Sequence, residues 1–273
     1  MTARMDPSNP AVLADRRVWG GRQWALTALA AVLLAAFAVW ARARINGLDE
    51  DTQATNPIVR WEYLFKRDRT PAELWERGRQ HLELTVVPVV LGLALSSLLA
   101  LLGIRFRWLL TPIFSFAGFL YTIPSLALFG VLVTYQTNWT AAVIALTSYT
   151  LLIITRNIVA GIDGVPAAAL DAADGLGMSR AQRFAKVELP LALPVILTGV
   201  RVATVTTVGL VGISAVIQLG GLAQLIFDGF RRSYTTEIVV GTFLSILLAV
   251  VLDLVLRLVE RVTTPWGRRG AIR

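Results

Sequence analysis

Residues 171–190 read DAADGLGMSRAQRFAKVELP. The stretch carries three acids and three bases, yet long apolar runs lie on either side of it. It therefore joins segments that avoid water while itself seeking it. Its own pattern reads as two short helices about a glycine turn. The alanine-rich run Ala167–Leu176 forms the first, and Gly177 suits a left-handed cap. Ser179 can cap a second helix through Arg180–Val187, which Pro190 helps to stop. Ala172 and Ala173 offer a small surface for close approach. Such a helix–turn–helix suits docking into a partner's groove. Whether it can do so depends on what the flanking runs are and on which side of them the loop lies.

The runs are membrane segments. Of the 273 residues, 55% are hydrophobic and only 16% charged, against about 25% charged in a soluble domain. Mean hydropathy is +0.64. Six apolar stretches reach the length that a bilayer requires: Trp24–Ala41, Leu82–Ile104, Leu109–Val133, Thr140–Ile158, Val195–Leu219 and Ile238–Leu256. The first follows Arg16, Arg17 and Arg22 as a signal peptide would, but Trp40–Arg44 is a poor cleavage site, so it reads as a retained helix. There is no cysteine and a single histidine, His81, which leaves no disulfide framework and no Cys- or His-rich metal centre.

The net charge of +8 is distributed by side. Bases gather at the N-terminus (Arg4, Arg16, Arg17, Arg22), in the Arg105–Trp108 turn, in the Asn157–Pro194 loop and in the tail (Arg261, Arg268, Arg269, Arg273). The opposite connections are Arg42–His81, Gln136–Trp139 and Gly220–Glu237; the first is nearly neutral, with eight bases and seven acids. Basic loops stay cytoplasmic. Both termini and the 171–190 loop are therefore expected inside. Topology accounts for the basic charge without nucleic acid. Trp24, Trp108, Tyr135 and Trp139 fall near helix ends, where interfacial aromatics belong. In the Arg42–His81 segment, Thr70 as N-cap, Pro71 at the first position and Glu73 three residues on predict a helix over Pro71–Arg79. That helix is expected along the membrane surface, with His81 interfacial at its end. The resulting organisation is a cytoplasmic N-terminus (1–23), a first helix (24–41), an extracytoplasmic loop (42–81), a core (82–257) containing the loop 163–194, and a tail (258–273).

The loop resembles a motif of the permease subunits of binding-protein-dependent ABC importers: E-A-A, three residues, G, nine residues, I-x-L-P. Here Asp171-Ala172-Ala173 is followed by three residues, Gly177, nine residues and Val187-Glu188-Leu189-Pro190. Every spacing matches; Asp replaces Glu at 171 and Val replaces Ile at 187. The resemblance implies an all-α polytopic membrane protein of six transmembrane helices, a type I importer permease with a MetI-like core of five helices plus an N-terminal helix. It implies that Asp171, Ala172, Ala173, Gly177, Ser179, Leu189 and Pro190 form a coupling helix against the ATPase. No GxxxxGK[ST] phosphate loop occurs in the chain. ATP and Mg are thus expected on partner ATPase subunits, with no catalytic residue, cofactor or metal on this chain.

Two further stretches narrow the resemblance. Gly118–Leu128, with Thr122-Ile123-Pro124-Ser125-Leu126-Ala127-Leu128, is similar to the T-I-P-S-L-A-L run of permeases for glycine betaine, choline and carnitine. Gly220–Phe230 resembles the G-G-L-G-x-x-I-x-x-G segment of the same permeases, with Ala223 in place of a glycine and Gln218 where a small residue is expected. The similarity runs from about Glu73 to Glu260. Pro124 removes a backbone donor and opens a kink, either as part of the path or as structure alone. Tyr121, Thr122, Pro124, Ser125 and Gln218 are the residues expected to line the translocation path. The implied partners are a separate solute-binding protein outside, two ATPases inside, and a second copy or a similar permease beside it in the inner membrane. The alternative is an importer of another small solute, such as methionine, another amino acid or a sulfonate.

Two charges fall within apolar segments, Arg201 in the fifth and Asp253 in the sixth. Intramembrane charge marks function or pairing. Either the two pair with each other or each snorkels to the inner interface. A membrane enzyme would need acids, histidines or cysteines clustered at one depth, which the chain lacks. A channel or secondary transporter would work without ATP.

Overall fold

The computed structural model describes residues 71–264. The predicted first span, the cap at Thr70 and the tail beyond Thr264 lie outside the described residues. Helix α1 runs unbroken over Pro71–Arg105. The Pro71–Arg79 stretch is thus not a separate surface helix: it continues into the span. The reason is a ladder of charge pairs one turn apart. Arg77 meets Glu73 at 3.1 Å, and Arg79 meets both Glu76 and Glu83 at 2.6 Å, which carries the helix through its polar turns.

After a 3₁₀ turn at Arg107–Leu109 come α2 (Leu110–Thr122) and α3 (Ser125–Tyr135). The single span expected over Leu109–Val133 is divided here, and the two halves meet at 92°. Pro124 lacks the N–H that would continue the helix and drives the preceding residue out of helical space; Ile123 is extended at φ −64°, ψ 127°. Helix α4 (Asn138–Asp163) starts at Thr137, whose hydroxyl accepts the Thr140 N–H at 3.3 Å. The polar loop holds α5 (Ala167–Gly175), α6 (Arg180–Arg183) and a π-helical turn at Phe184–Glu188. Helix α7 (Leu189–Ile213) ends in a 3₁₀ turn at Ser214–Ile217, and α8 (Ala223–Arg232) and α9 (Thr235–Thr263) complete the described chain. Among the described residues there is no strand. Helices α1, α4 and α9 and the run Arg180–Ile217 are long and apolar enough to cross a membrane, and the bent α2–α3 pair makes a fifth crossing when its halves count as one span.

The centre of the bundle is α4. Of its most apolar stretch 61% is buried, against 11% for α9, so α4 packs within protein while most of α9 presents apolar side chains outward. Phe243, Leu247, Val250, Leu254 and Leu258 are among them. Two apolar clusters hold α1, α4 and α7 together. One, toward the polar loop, contains Ala100, Ile154, Ile158, Ala192, Ile196 and Ala203. The other, at the opposite end, joins Leu84, Phe129, Ala142, Leu146, Val211 and Ile217. Buried hydroxyls of the same helices bond to carbonyls one turn back: Thr85 to His81, Thr204 to Val200 and Thr207 to Ala203, at 2.8–2.9 Å. That is how a threonine stays satisfied without water.

His81 is not interfacial. It is fully buried, and its Nε2 donates to the Val208 carbonyl on α7 at 3.2 Å. What covers it is the turn before α8. Gly221, at φ +52°, lies so close that an added Cβ would stand 2.6 Å from the His81 Cβ and 2.8 Å from its backbone N. The Gly221 N–H in turn donates to Gln80 Oε1 at 3.1 Å. This contact ties the α7–α8 connection to the start of α1. Gly221→Ala should therefore both strain the backbone and force the turn off His81. We expect a loss on the order of 2 kcal/mol, read as a clear drop in the thermal midpoint of the purified protein; an unchanged midpoint would mean that the turn is not held there.

Candidate functional site

The polar loop is built from local capping and one arginine. Gly177, at φ +68°, occupies the left-handed region in which glycine is unstrained. The Gly177 and Met178 N–H groups bond back to the Asp174 and Ala173 carbonyls at 2.9 and 3.2 Å, closing α5. Ser179 and Gln182 form a reciprocal capping box: the Ser179 hydroxyl accepts the Gln182 N–H at 3.3 Å, and Gln182 Oε1 accepts the Ser179 N–H at 2.9 Å. Arg183 then clamps the two arms. It reaches Asp174 on α5 at 2.8 Å and Glu188 in the π turn at 2.9 Å. Arg183 was not legible as a site residue, because its link to Asp174 crosses the glycine turn.

Asp171, Ala172 and Gly177 lie exposed on the loop. Ala173 does not: it is buried within the chain. Residues adjacent on a helix point about 100° apart, so one alanine faces out while the next packs inward. The exposed apolar tip is Leu176, 76% exposed, immediately before the turn. Leu189 is also exposed. Pro190 does not end a helix. It sits in the first turn of α7, where its missing N–H costs nothing, and the π turn before it absorbs the change of helical phase. At the foot of the loop, the exposed pair Arg107–Asp163, 2.7 Å, links the α1–α2 turn to the end of α4.

The break between α2 and α3 places the other sequence-selected residues. Thr122 Oγ1 donates to the Phe119 carbonyl at 2.8 Å. The Ile123 carbonyl, freed by Pro124, accepts the Tyr149 hydroxyl from α4 at 2.6 Å. Tyr149 also packs edge to face on Tyr121, with ring centroids 6.0 Å apart and planes at 74°. Tyr121, Thr122 and Pro124 are exposed, and Ser125 is half-buried at the first turn of α3. Gln218 is exposed at the end of the 3₁₀ turn with φ +62°. A left-handed backbone is the physical reason that a small residue is favoured there.

Arg201 and Asp253 meet across α7 and α9 at 2.8 Å. They belong to a larger network: Arg201 also reaches Glu260 at 3.2 Å, and Asp253 reaches Arg257 at 2.7 Å. Two bases and two acids thus neutralise one another between α7 and α9. Among the described residues, no three acidic or histidine side chains converge as a metal ion would need.

The family described as binding-protein-dependent transport system inner membrane component matches residues 89–265. This chain belongs to that family. It is 39% identical over 196 residues to the osmoprotectant import permease protein OsmW of Salmonella typhimurium, covering 70% of this chain and 91% of the relative. It is 32% identical over 200 residues to the glycine betaine/carnitine/choline transport system permease protein OpuCB of Bacillus subtilis, covering 72% and 92%. Its fold is similar to that of an inward-facing structure of the MetNI methionine ABC transporter, with a TM-score of 0.62 at 18% identity over 72% of this chain and 99% of that one. The family places the chain in a membrane as a multi-pass component, and the named relatives are permease proteins.

The ion network yields a ranked expectation. Arg201→Gln removes the one base that touches both Asp253 and Glu260, and should cost about 3 kcal/mol. Asp253→Asn leaves Arg201 its Glu260 contact and should cost less. The double variant should lose less than the sum of the two. Unfolding of the purified proteins in mild detergent measures all three; equal and additive losses would show that the four side chains do not act together.

Proposed function

We propose that this chain is the membrane-spanning permease subunit of an ATP-driven importer of quaternary-amine osmoprotectants such as glycine betaine, choline or carnitine. The observation that carries the loop's role is its build: a glycine at φ +68°, a capping box and an arginine clamp make one stiff exposed element. A stiff element transmits displacement; a floppy one would absorb it. In this reading Asp171, Ala172, Gly177, Ser179, Leu189 and Pro190 present or brace the loop for an ATPase subunit on the cytoplasmic side. Ala173 packs it from within. ATP and Mg bind on that partner. A solute-binding protein delivers the solute from outside, and a second permease completes the pore. Tyr121, Thr122, Pro124, Ser125 and Gln218 face the path. The arginines at the loop end, Arg105, Arg107, Arg180 and Arg183, support a cytoplasmic loop and cytoplasmic termini. The substrate class rests on the names of the relatives together with the Thr122–Leu128 run.

The experiment is ATP-dependent uptake of labelled glycine betaine, choline and carnitine into proteoliposomes that hold this chain with its ATPase and binding protein. One of these solutes should accumulate only with ATP. Gly177→Val should cut that uptake at least tenfold, because a β-branched residue at φ +68° costs about 1–2 kcal/mol or more and unseats the cap. Gly177→Asn should be milder, since asparagine visits the left-handed region. Uptake without ATP, or indifferent to both variants, would overturn the coupling role. ATP-driven transport of an amino acid but of none of the three would overturn the substrate class.

A further inference from the structure

Irregular backbone at membrane depth does not face lipid; it is buried in protein or lines a wet cavity. The Ile123–Pro124 break lies about 18 Å along α2 from its start at Leu110, and Tyr149 lies about 21 Å along α4 from its end at Asp163, at 1.5 Å per residue. Both are therefore deep within a hydrocarbon core of about 30 Å. Thr122 and Pro124 are exposed at this depth, so this side of the bundle faces the path or a partner and not lipid. The side chain beside the break is Tyr121. Its neighbour Tyr149 is 4% exposed and fixed by its bond to the Ile123 carbonyl, so the accessible ring of the pair is that of Tyr121, 41% exposed.

The charges around this ring are as informative as the ring. Between Arg107 and Arg156 there is no Asp, Glu, Lys, Arg or His. On α4 itself, Arg156 lies about 10 Å along the helix from Tyr149, its guanidinium 5.7 Å over the Phe114 ring of α2; Arg201 and Asp253, on α7 and α9, are paired with each other and with Glu260 and Arg257. A trimethylammonium group has no N–H to donate and cannot shed its charge. At the break the Phe119 and Ile123 carbonyl oxygens are already engaged by Thr122 and Tyr149. A group here suited to a cation that donates no hydrogen bond is the negative face of an aromatic ring.

We propose that the Tyr121 ring, braced edge to face by Tyr149, is a cation–π station for the trimethylammonium group in mid-membrane, with Tyr149 as its positioning residue. This rests on the quaternary-amine reading above. A station of this kind attracts weakly enough to release, as a site within a conducting path must. A carboxylate at the same depth would hold the cation far harder.

The test uses the same proteoliposomes with subsaturating choline and glycine betaine. Tyr121→Phe keeps the π face and should keep uptake within about twofold of wild type. Tyr121→Leu, and 3,4,5-trifluorophenylalanine placed at 121, remove or cancel that face; both should lower uptake by about three- to thirtyfold. The trifluoro ring nearly matches phenylalanine in shape, so its loss of uptake cannot be a packing defect. The amount of assembled complex recovered in the membrane should match wild type in all three, so that a change in uptake is not a change in quantity. Wild-type uptake with undiminished uptake in the trifluoro variant would overturn the station while leaving the substrate reading intact. A wild-type protein that imports no trimethylammonium solute would overturn both.

Discussion

Inside a bilayer a backbone carbonyl has to find its donor within the protein, and that requirement governs the membrane-spanning elements of this chain. Helices meet it along their length. Where the ladder is interrupted, side chains complete it. Pro124 frees the Ile123 carbonyl, and the Tyr149 hydroxyl takes it. The end of α7 is closed in the same way by Ser214, whose hydroxyl donates to the Leu219 carbonyl at 2.9 Å. The Asn138 amide donates to the Ile217 carbonyl at 2.9 Å. Each of these partners belongs to another turn or another helix. The backbone's need for donors therefore also determines which helices are neighbours.

The polar loop obeys the opposite condition. It is wet, so its hydrogen bonds are worth little net and its form must come from geometry. Gly177 supplies the one backbone angle that reverses the chain without strain, and the Ser179–Gln182 box fixes where the next helix starts. Arg183 adds a bridge between the arms. Exposed ion pairs contribute little stability singly, but a guanidinium shared by two carboxylates restricts the hinge between α5 and the π turn. Stiffness, more than stability, is what the arrangement provides.

How far the sequence could be read follows from this division. The loop was legible because its determinants are local: a glycine at a left-handed position and a serine followed three residues later by glutamine lie within a few residues of one another. The kink at Pro124 was legible for the same reason. Its 92° extent was not, since that depends on α4 supplying Tyr149 to the broken turn. The burial of His81 depends on Gly221, which is 140 residues away along the chain, and no pattern around His81 announces it. Pro190 misled because a proline after a short helix reads equally as a stop or as the first turn of the next helix. The π turn at Phe184–Glu188 decided between them. Arg201 and Asp253 stood out as lone charges in apolar helices, whereas Arg257 and Glu260 lie beyond the apolar stretch that ends at Leu256.

The distribution of charge sets the conditions for moving a permanent cation through such a bundle. An unpaired carboxylate in mid-membrane would cost several kcal/mol to bury and would bind the cation as a trap. An unpaired base would repel it. Near Tyr149 the chain places no acid, and the nearest base along α4, Arg156, stands over the Phe114 ring at 5.7 Å about 10 Å away along the helix. The stretch from Trp108 to Thr155 is uncharged, and Arg201, Asp253, Arg257 and Glu260 form one neutral network between α7 and α9. In the proposed station the broken helix would supply polar backbone and hydroxyls, and Tyr121 a π face. These groups lower the energy of a cation without fixing a proton or a counter-ion. A path built this way would be shallow throughout, so the direction of transport has to come from outside the membrane segments. The stiff loop at one end of α4 and α7 is the described element through which such a force could enter.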